Sequence, residues 1–246
     1  MNSLVRGLCA FVLLASSQAA LPATPSAEPV PAATPAARTV YLVRHGHYAA
    51  DPAIDEKVGP ALSPIGVAQA RLVGARIGAL PLQLDGLYAS PMQRARDTAA
   101  VIAGDLDDPR FNIVDDLAEC TPPSRDATVM AKEKPADLAA CRAQFDRAFA
   151  RFFQPAQGRE RSDLLVCHGN VIRSLVVRAL GVDADAWLAM SAGHASITKV
   201  RIQPDGSFKV IAVGDVGHLP PSLRTGASGD PDRSLAIPTL PKAEAK

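Results

Sequence analysis

The chain has 246 residues, of which 26 are lysine or arginine and 25 are aspartate or glutamate, for a formal net charge of +1 at pH 7. Charges of both signs are interspersed and form no basic stripe, so we do not expect nucleic acid as a partner. Between unusual segments at either end, residues 39–217 have the length and composition of one globular domain.

The first 19 residues have the composition of a secretory signal peptide. Arg6 and the amino terminus precede the apolar run LCAFVLLA, which is too short to span a bilayer. Ser17 and Ala19 are small residues of the kind that a signal peptidase requires, so we predict cleavage after Ala19, with an uncleaved anchor as the alternative. These features predict a periplasmic or secreted protein with no stable membrane span once the signal is removed.

Proline-rich segments flank the predicted domain. Residues 20–38 combine proline with alanine and small polar residues, which predicts an extended linker because such a sequence cannot bury a core. Residues 218–246 are again rich in proline, serine and glycine. They predict a mostly irregular tail.

Strand-like and helix-like segments alternate through the domain. A buried strand is predicted at 39–43, and Ser63 followed by Pro64 is an N-cap and first-turn pair that opens a helix. Ser90 and Pro91 repeat this pattern after the strand-like DGLYA. The later predicted elements are a strand at 111–115, a helix at 136–153, a strand at 163–167, a helix at 171–180, and a hairpin formed by ASITKVRI and FKVIAV. The alternation predicts an α/β fold, a three-layer α/β/α sandwich with a mostly parallel sheet.

Polar side chains suited to phosphate chemistry follow the predicted strands. Because ligands bind at the carboxyl ends of strands in open parallel sheets, we expect these side chains to converge. The arginine side chain offers a planar fork of donors to a phosphoryl group, and a neutral histidine ring can attack phosphorus. The five candidates are Arg44 and His45 after the first strand, Arg94 after the second, Glu119 after the third and His168 after the fourth.

Two of these positions have neighbours of the same chemical type. Arg96 lies two residues beyond Arg94 and could take its role. Asp115 and Asp116 are carboxylates close to Glu119, which could itself be a solvated side chain. The residues alone leave these alternatives open.

Several motifs together carry a family resemblance. LVRHGHY, LSPIGVAQA, YASPMQRARDTA, the glutamate of DDLAEC and VCHGNVIR resemble the motifs of the histidine phosphatase superfamily, in its first branch, which has the phosphoglycerate mutase-like fold. The resemblance covers residues 39–222. It implies the three-layer sandwich, no metal or other cofactor, and a phosphohistidine intermediate.

The resemblance also implies a role for each candidate residue. His45 corresponds to the nucleophile, and Glu119 to the group that protonates the leaving oxygen and then takes a proton from water. The motif SPMQRARDT favours Arg94 over Arg96. The second branch of the superfamily carries its acid in an HD motif, whereas Gly169 follows His168 here. The substrate-binding residues implied are Arg44, Arg94 and His168.

The predicted function is a metal-independent phosphomonoester hydrolase that acts on a phosphoprotein or a small phosphate ester. The alternatives are a phosphoryl transferase of the phosphoglycerate mutase type and a catalytically inactive domain that binds a phosphorylated ligand. His45, His47 and His168 could also be read as metal ligands. The neighbouring Arg44 argues against that reading, because a guanidinium repels a divalent cation.

The cysteines suggest one disulfide if the protein is exported. Cys9 belongs to the predicted signal peptide, and Cys167 lies in the apolar run DLLVC, where a buried thiol is expected. Cys120 and Cys141 remain as the plausible pair in an oxidising compartment.

Overall fold

The computed structural model describes residues 34–226, apart from 107 and 109. The predicted signal peptide at residues 1–19, most of the predicted linker and the end of the predicted tail lie outside this described part. Its strands are β1 (Pro35–Ala36), β2 (Arg38–Arg44), β3 (Gly86–Ala89), β4 (Asn112–Ile113), β5 (Ala156–Gln157), β6 (Arg161–Cys167), β7 (Ile197–Ile202) and β8 (Phe208–Asp215). Its α-helices are α1 (Pro64–Gly78), α2 (Gln93–Asp105), α3 (Ala127–Met130), α4 (Pro135–Phe152) and α5 (Gly169–Ala179).

Six strands form one mixed sheet in the order β4-β3-β6-β2-β7-β8. The four strands from β4 to β2 are parallel to their neighbours, and β7 and β8 add an antiparallel hairpin beside β2. The predicted strand and helix alternation and the α/β fold class are therefore confirmed. The parallel half brings the carboxyl ends of β2, β3 and β6 to one edge of the sheet.

The core lies in two layers, one on each face of the sheet. Leu42 and Leu165 belong to the layer under α4 and α5, whereas Val43 and Val166 belong to the layer under α1 and α2. Successive residues of a strand point to opposite faces, so strands covered on both sides are apolar at every position. The helices and the sheet between them make the three layers of the sandwich.

The ordered domain extends past the predicted limits of 39 and 217. Pro35 and Ala36 pair with β5 in a small second sheet, within the segment predicted as linker. Leu219 and Thr225 are buried, within the segment predicted as an irregular tail. Both segments are thus packed against the domain. Packing of this kind removes apolar surface from water, which favours the ordered state.

Two helix starts differ from the prediction. The second helix begins at Gln93 and has Met92 as its N-cap residue, without a side-chain cap. Ser90 instead bonds the backbone N–H of Met92 and the ring of His168. The helix after β6 begins at Gly169, two residues earlier than predicted. In both places the turn between strand and helix is built around polar side chains at the sheet edge.

Cys120 and Cys141 form a disulfide, and their Cα atoms lie 5.8 Å apart. Cys167 is a buried free thiol, as predicted. The bridge ties the segment that carries Glu119 to α4. Within residues 34–226, the structure has no helix that is long and apolar enough to cross a membrane.

Candidate active site

The five predicted site residues meet at the carboxyl edge of the parallel strands. Arg44 is the last residue of β2, and His45 follows it. His168 is the N-cap residue of α5, and its ring centroid lies 5.0 Å from that of His45. Arg94 lies in the first turn of α2, and Glu119 follows the short 3-10 helix after β4. The tertiary structure thus brings together groups from four separate segments.

The loop after β2 holds His45 against neighbouring backbone. A Cβ on Gly46 would lie 2.6 Å from the carbonyl oxygen of Gly66, so only glycine fits where this loop passes the start of α1. The backbone N–H of Gly46 donates to the hydroxyl of Thr98 at 3.0 Å. These contacts fix the position of the backbone directly after His45.

Hydrogen bonds select one tautomer of His45. Its Nδ1 lies 2.8 Å from the carbonyl oxygen of Gly46, an acceptor, so Nδ1 carries the proton. Its Nε2 accepts a hydrogen bond from Nε of Arg94 at 3.1 Å. Burial, followed by the nearby His168 and Arg44, holds the pKa of His45 well below its usual range. The ring is therefore neutral at physiological pH, with its lone pair on Nε2.

Arg44 and Arg94 form a buried pair of cations beside this ring. Arg44 donates to the carbonyl oxygen of Ala192 at 2.7 Å, and burial lowers its pKa to about 10, so it remains charged at neutral pH. The guanidinium carbon of Arg94 lies 5.0 Å from the ring centroid of Tyr48, and burial lowers the pKa of this arginine too. Two close guanidinium groups in a buried site favour an anion with several acceptor oxygens.

His168 supplies a further polar atom. It is fully buried, and its Nε2 lies 2.7 Å from the hydroxyl of Ser90. Its Nδ1 is buried and has no hydrogen-bond partner among the described residues. Burial, with Arg94 and Arg44 nearby, holds its pKa well below its usual range. If the serine hydroxyl donates to Nε2, Nδ1–H is left as a donor for a bound ligand.

Glu119 has the electrostatics of an acid and base that works near neutral pH. The residue is half-buried, its Oε1 is shielded from solvent without a partner, and its carboxylate accepts from the backbone N–H of Asn170. Burial raises its pKa to about 7, although Arg44 and Arg94 oppose that shift. Both protonation states are thus accessible at neutral pH.

The structure separates these residues from their sequence neighbours. Arg96 lies on the exposed face of α2, whereas Arg94 is buried in the site. Asp116 is paired with Arg147 at 2.9 Å, and Asp115 is exposed. The helix itself separates Arg94 from Arg96, because residues two positions apart in a helix lie on different faces.

His47 has a structural role next to the site. Its backbone N–H donates to Gln69, and its Nδ1 lies 2.7 Å from the hydroxyl of Ser63, the N-cap of α1. These bonds tie the loop to α1. Among residues 34–106, 108 and 110–226, no group of three or more histidine, cysteine, aspartate and glutamate side chains is arranged to hold a metal ion.

His194 and Tyr48 also lie beside His45, although neither is among the five predicted residues. His194 is fully buried, its ring centroid lies 5.5 Å from that of His45, and burial lowers its pKa to about 3. Its Nδ1 lies 2.9 Å from the hydroxyl of Thr225, in the segment predicted as tail. His194 is 149 residues from His45 in the sequence, so no local pattern predicts that their rings lie close together. Tyr48 directly follows the RHGH motif and could have been identified from that position.

A cavity of about 960 Å³ opens onto Arg94 and Glu119. The loop at residues 50–60 forms one wall, and residues 115–121 with part of the region around α4 form the other. Neither wall closes over the site. The cavity is therefore a route by which both a substrate and water can reach Arg94 and Glu119.

The family model for the histidine phosphatase superfamily (branch 1) matches residues 40–215. The chain belongs to this superfamily. The match runs from within β2 to the end of β8 and includes all five candidate residues.

Several curated relatives of this chain are mitochondrial serine/threonine-protein phosphatases named Pgam5. The mitochondrial serine/threonine-protein phosphatase Pgam5 of Caenorhabditis elegans is 33% identical over 192 residues, which is 76% of this chain and 66% of the relative. The protein of the same name in Drosophila grimshawi is 36% identical over 195 residues, or 77% of this chain and 67% of the relative. The human protein is 32% identical over 194 residues, 77% of this chain and 66% of the relative.

Solved structures with the same fold include phosphatases and mutases. A putative alpha-ribazole-5'-P phosphatase from Escherichia coli superposes with a TM-score of 0.59 at 19% identity, covering 72% of this chain and 96% of that one. A phosphoglycerate mutase from Plasmodium falciparum superposes with a TM-score of 0.52 at 22% identity, covering 82% and 99%. At this identity the likeness establishes the phosphoglycerate mutase-like fold.

The relatives also correct one prediction. A periplasmic or secreted location is wrong, because the three curated relatives are mitochondrial proteins rather than periplasmic or secreted ones. The prediction depended on a short basic and apolar segment at the amino terminus. Such a segment reports hydropathy and charge, and these properties do not by themselves name a compartment.

Proposed function

We propose that this protein is a metal-independent phosphomonoester hydrolase that works through a phosphohistidine on His45. The observation that carries the proposal is the state of its ring. Nδ1 is committed to the carbonyl oxygen of Gly46, and the unprotonated Nε2 faces Arg94. A buried, neutral imidazole with its lone pair beside two guanidinium groups is suited to attack a phosphoryl group that those cations bind.

In the first step the substrate phosphoryl group binds to Arg44, Arg94 and His168. One phosphoryl oxygen takes the hydrogen bond that Nε of Arg94 now makes to His45, which frees the Nε2 lone pair. Nε2 then attacks phosphorus in line with the ester oxygen, so the N–P bond forms as the P–O bond breaks. Protonated Glu119 gives its proton to the departing oxygen, which leaves as an alcohol.

In the second step Glu119 acts as a base. Its carboxylate takes a proton from a water molecule, and the oxygen of that water attacks phosphorus as the N–P bond breaks. The products are inorganic phosphate, neutral His45 and protonated Glu119, so the cycle closes without a net change in the protein. The pKa of about 7 at Glu119 supports both roles near neutral pH.

The proposed substrates are phosphoproteins or small phosphate esters. The curated relatives are named serine/threonine-protein phosphatases, which supports the first class. The open cavity beside Glu119 supports hydrolysis, since it gives water access to the phosphorylated histidine. A mutase would instead have to retain its substrate and return the phosphoryl group to it.

The test is hydrolysis of p-nitrophenyl phosphate by wild type, His45→Ala and His218→Asn. The wild type should release phosphate with or without EDTA, and His45→Ala should lose release by several orders of magnitude. His218 bonds the carbonyl oxygen of Ala195 and has no part in the mechanism, so His218→Asn is the matched histidine control. Acid-quenched turnover of radiolabelled substrate should leave an acid-labile phosphate on wild type only. Loss of activity in EDTA, or full activity in His45→Ala, would contradict the mechanism.

A further inference from the structure

Most of the charged side chains that line the wall of the active-site cavity are acidic. Arg94 and Glu119 line this cavity and take part in the proposed chemistry. The rest of the charged lining consists of five carboxylates and one ammonium group, which are Asp51, Glu56, Asp115, Glu133, Asp137 and Lys57.

Within the part of the chain that the structure describes, these five carboxylates form no salt bridge, in contrast to carboxylates elsewhere on the surface. Asp116 pairs with Arg147, Asp85 with Arg159 and Asp183 with Arg125. None of the ten salt bridges among the described residues includes one of the five carboxylates of the cavity. The negative charge of these carboxylates is thus available to interact with a ligand.

The buried and the more exposed parts of the site therefore differ in charge. The proposed phosphoryl-binding groups are the buried cations Arg44 and Arg94, together with the unpartnered Nδ1 of His168, whereas the five carboxylates are exposed or half-buried. Arg44, Arg94 and His168 bind the phosphoryl group in this proposal, and the five carboxylates take no part in binding it. A phosphoryl group is attracted to the buried cations, and the part of a substrate that extends from it into the cavity would meet the carboxylates.

We propose that the preferred substrate is a phosphorylated serine or threonine within a basic peptide segment. This inference rests on the phosphatase activity proposed above. Lysine or arginine side chains flanking the phosphoresidue would lie near the wall carboxylates, and a cavity of about 960 Å³ has room for more than the phosphorylated side chain. Nucleotides and sugar bisphosphates would bring further negative charge to the same wall.

The expected size of this selectivity follows from the exposure of the wall. Asp51, Asp115 and Asp137 are exposed, so water weakens the attraction between each carboxylate and a basic side chain, and physiological salt weakens it further. Several such pairs together correspond to a change in kcat/KM of about tenfold or more. Most of that change should disappear at high ionic strength, because solvent-exposed charges are screened.

The test compares two phosphothreonine peptides of equal length, one flanked by arginines and one by glutamates. At low salt the basic peptide should have a kcat/KM about tenfold or more above the acidic peptide, and about 0.5 M sodium chloride should bring the ratio close to one. Hydrolysis of p-nitrophenyl phosphate serves as the baseline, because it has no charged flank.

Variants assign the selectivity to the wall. Glu133→Gln combined with Asp137→Asn should lower the peptide ratio several-fold and leave hydrolysis of p-nitrophenyl phosphate unchanged. The matched control is Asp205→Asn, an exposed carboxylate that bonds Ser207 in the β7–β8 turn. A peptide ratio near one at low salt, or an equal effect of Asp205→Asn, overturns this inference and leaves the proposed function standing. Failure of the wild type to hydrolyse p-nitrophenyl phosphate overturns the proposed function and this inference with it.

Discussion

Nε of Arg94 donates a hydrogen bond to Nε2 of His45 across 3.1 Å, so the guanidinium contacts the ring nitrogen that we propose as nucleophile. The contact keeps Nε2 unprotonated and oriented before substrate arrives. When the phosphoryl group binds, the same N–H is already placed beside the oxygens that carry the developing charge. Organising the nucleophile and stabilising the transition state thus depend on one side chain.

Replacement of that side chain should be costly even when its charge is kept. We expect Arg94→Lys to lower kcat/KM by about 10²–10³, since an ammonium lacks the planar fork that contacts the ring and the phosphoryl oxygens together. Steady-state kinetics with p-nitrophenyl phosphate measure this. Arg96→Lys is the control, because Arg96 lies on the exposed face of the same helix. Equal losses in the two variants would contradict the assignment.

Glu119→Gln should remove acid and base catalysis without changing the size of the side chain. We expect kcat on a phosphothreonine peptide to fall by about 10²–10⁴. In the wild type, kcat on this substrate should decrease as the pH rises above about 7, where Glu119 loses its proton. The variant should lack this dependence. A wild-type kcat profile that is flat between pH 6 and 8 on a substrate with an alcohol leaving group would contradict the role.

The same variant should change how stability depends on pH. The folded protein holds the Glu119 proton up to a pKa of about 7, whereas the unfolded chain loses it near the ordinary value of 4.5. Between these values the unfolded state binds fewer protons, so this carboxyl lowers the free energy of unfolding as the pH rises through that window. Urea unfolding at pH 5 and pH 8 should show a smaller decrease for Glu119→Gln than for wild type. Identical decreases in the two proteins would show that the pKa of the Glu119 carboxyl is not shifted.

Gly46 should tolerate no side chain. A Cβ there would lie 2.6 Å from the carbonyl oxygen of Gly66, so Gly46→Ala has to move the loop that carries His45. We expect a loss of about 1–3 kcal/mol in the free energy of unfolding and a fall in kcat. Gly104→Ala is the control, since a Cβ at this position in α2 meets nothing within 4 Å, and alanine should stabilise the helix by up to about 1 kcal/mol. Similar thermal melts for the two variants would contradict the steric argument.

The disulfide next to Glu119 should affect both stability and rate. Cys120 and Cys141 are 21 residues apart in sequence, so opening the bridge should lower the free energy of unfolding by about 3 kcal/mol. Because Cys120 directly follows Glu119, a dithiol reductant should also lower kcat in the wild type. The variant with Cys120→Ser and Cys141→Ser should have the lower kcat from the start and no response to reductant. A wild-type kcat that is unchanged by complete reduction would contradict this coupling.

The sequence by itself determined the order of the main strands and helices and the place of Arg44, His45 and His168 directly after strands. Strands covered on both faces are continuous apolar runs, and Ser63 with Pro64 is a local helix start, so both are encoded within a few residues. Arg44, His45 and His168 follow such runs directly, which is why their place at the sheet edge could be predicted. The amino-terminal segment was different, because its composition led to a wrong location.

The tertiary structure alone decided how those residues can act. The tautomer of His45 depends on Gly46 and Arg94, and the pKa of Glu119 depends on burial that its neighbours in sequence do not reveal. The approach of His194 to the site and the gathering of wall carboxylates from three separate segments likewise have no local signature. Desolvation and Coulomb interactions depend on distances through space, and only the folded chain sets those distances.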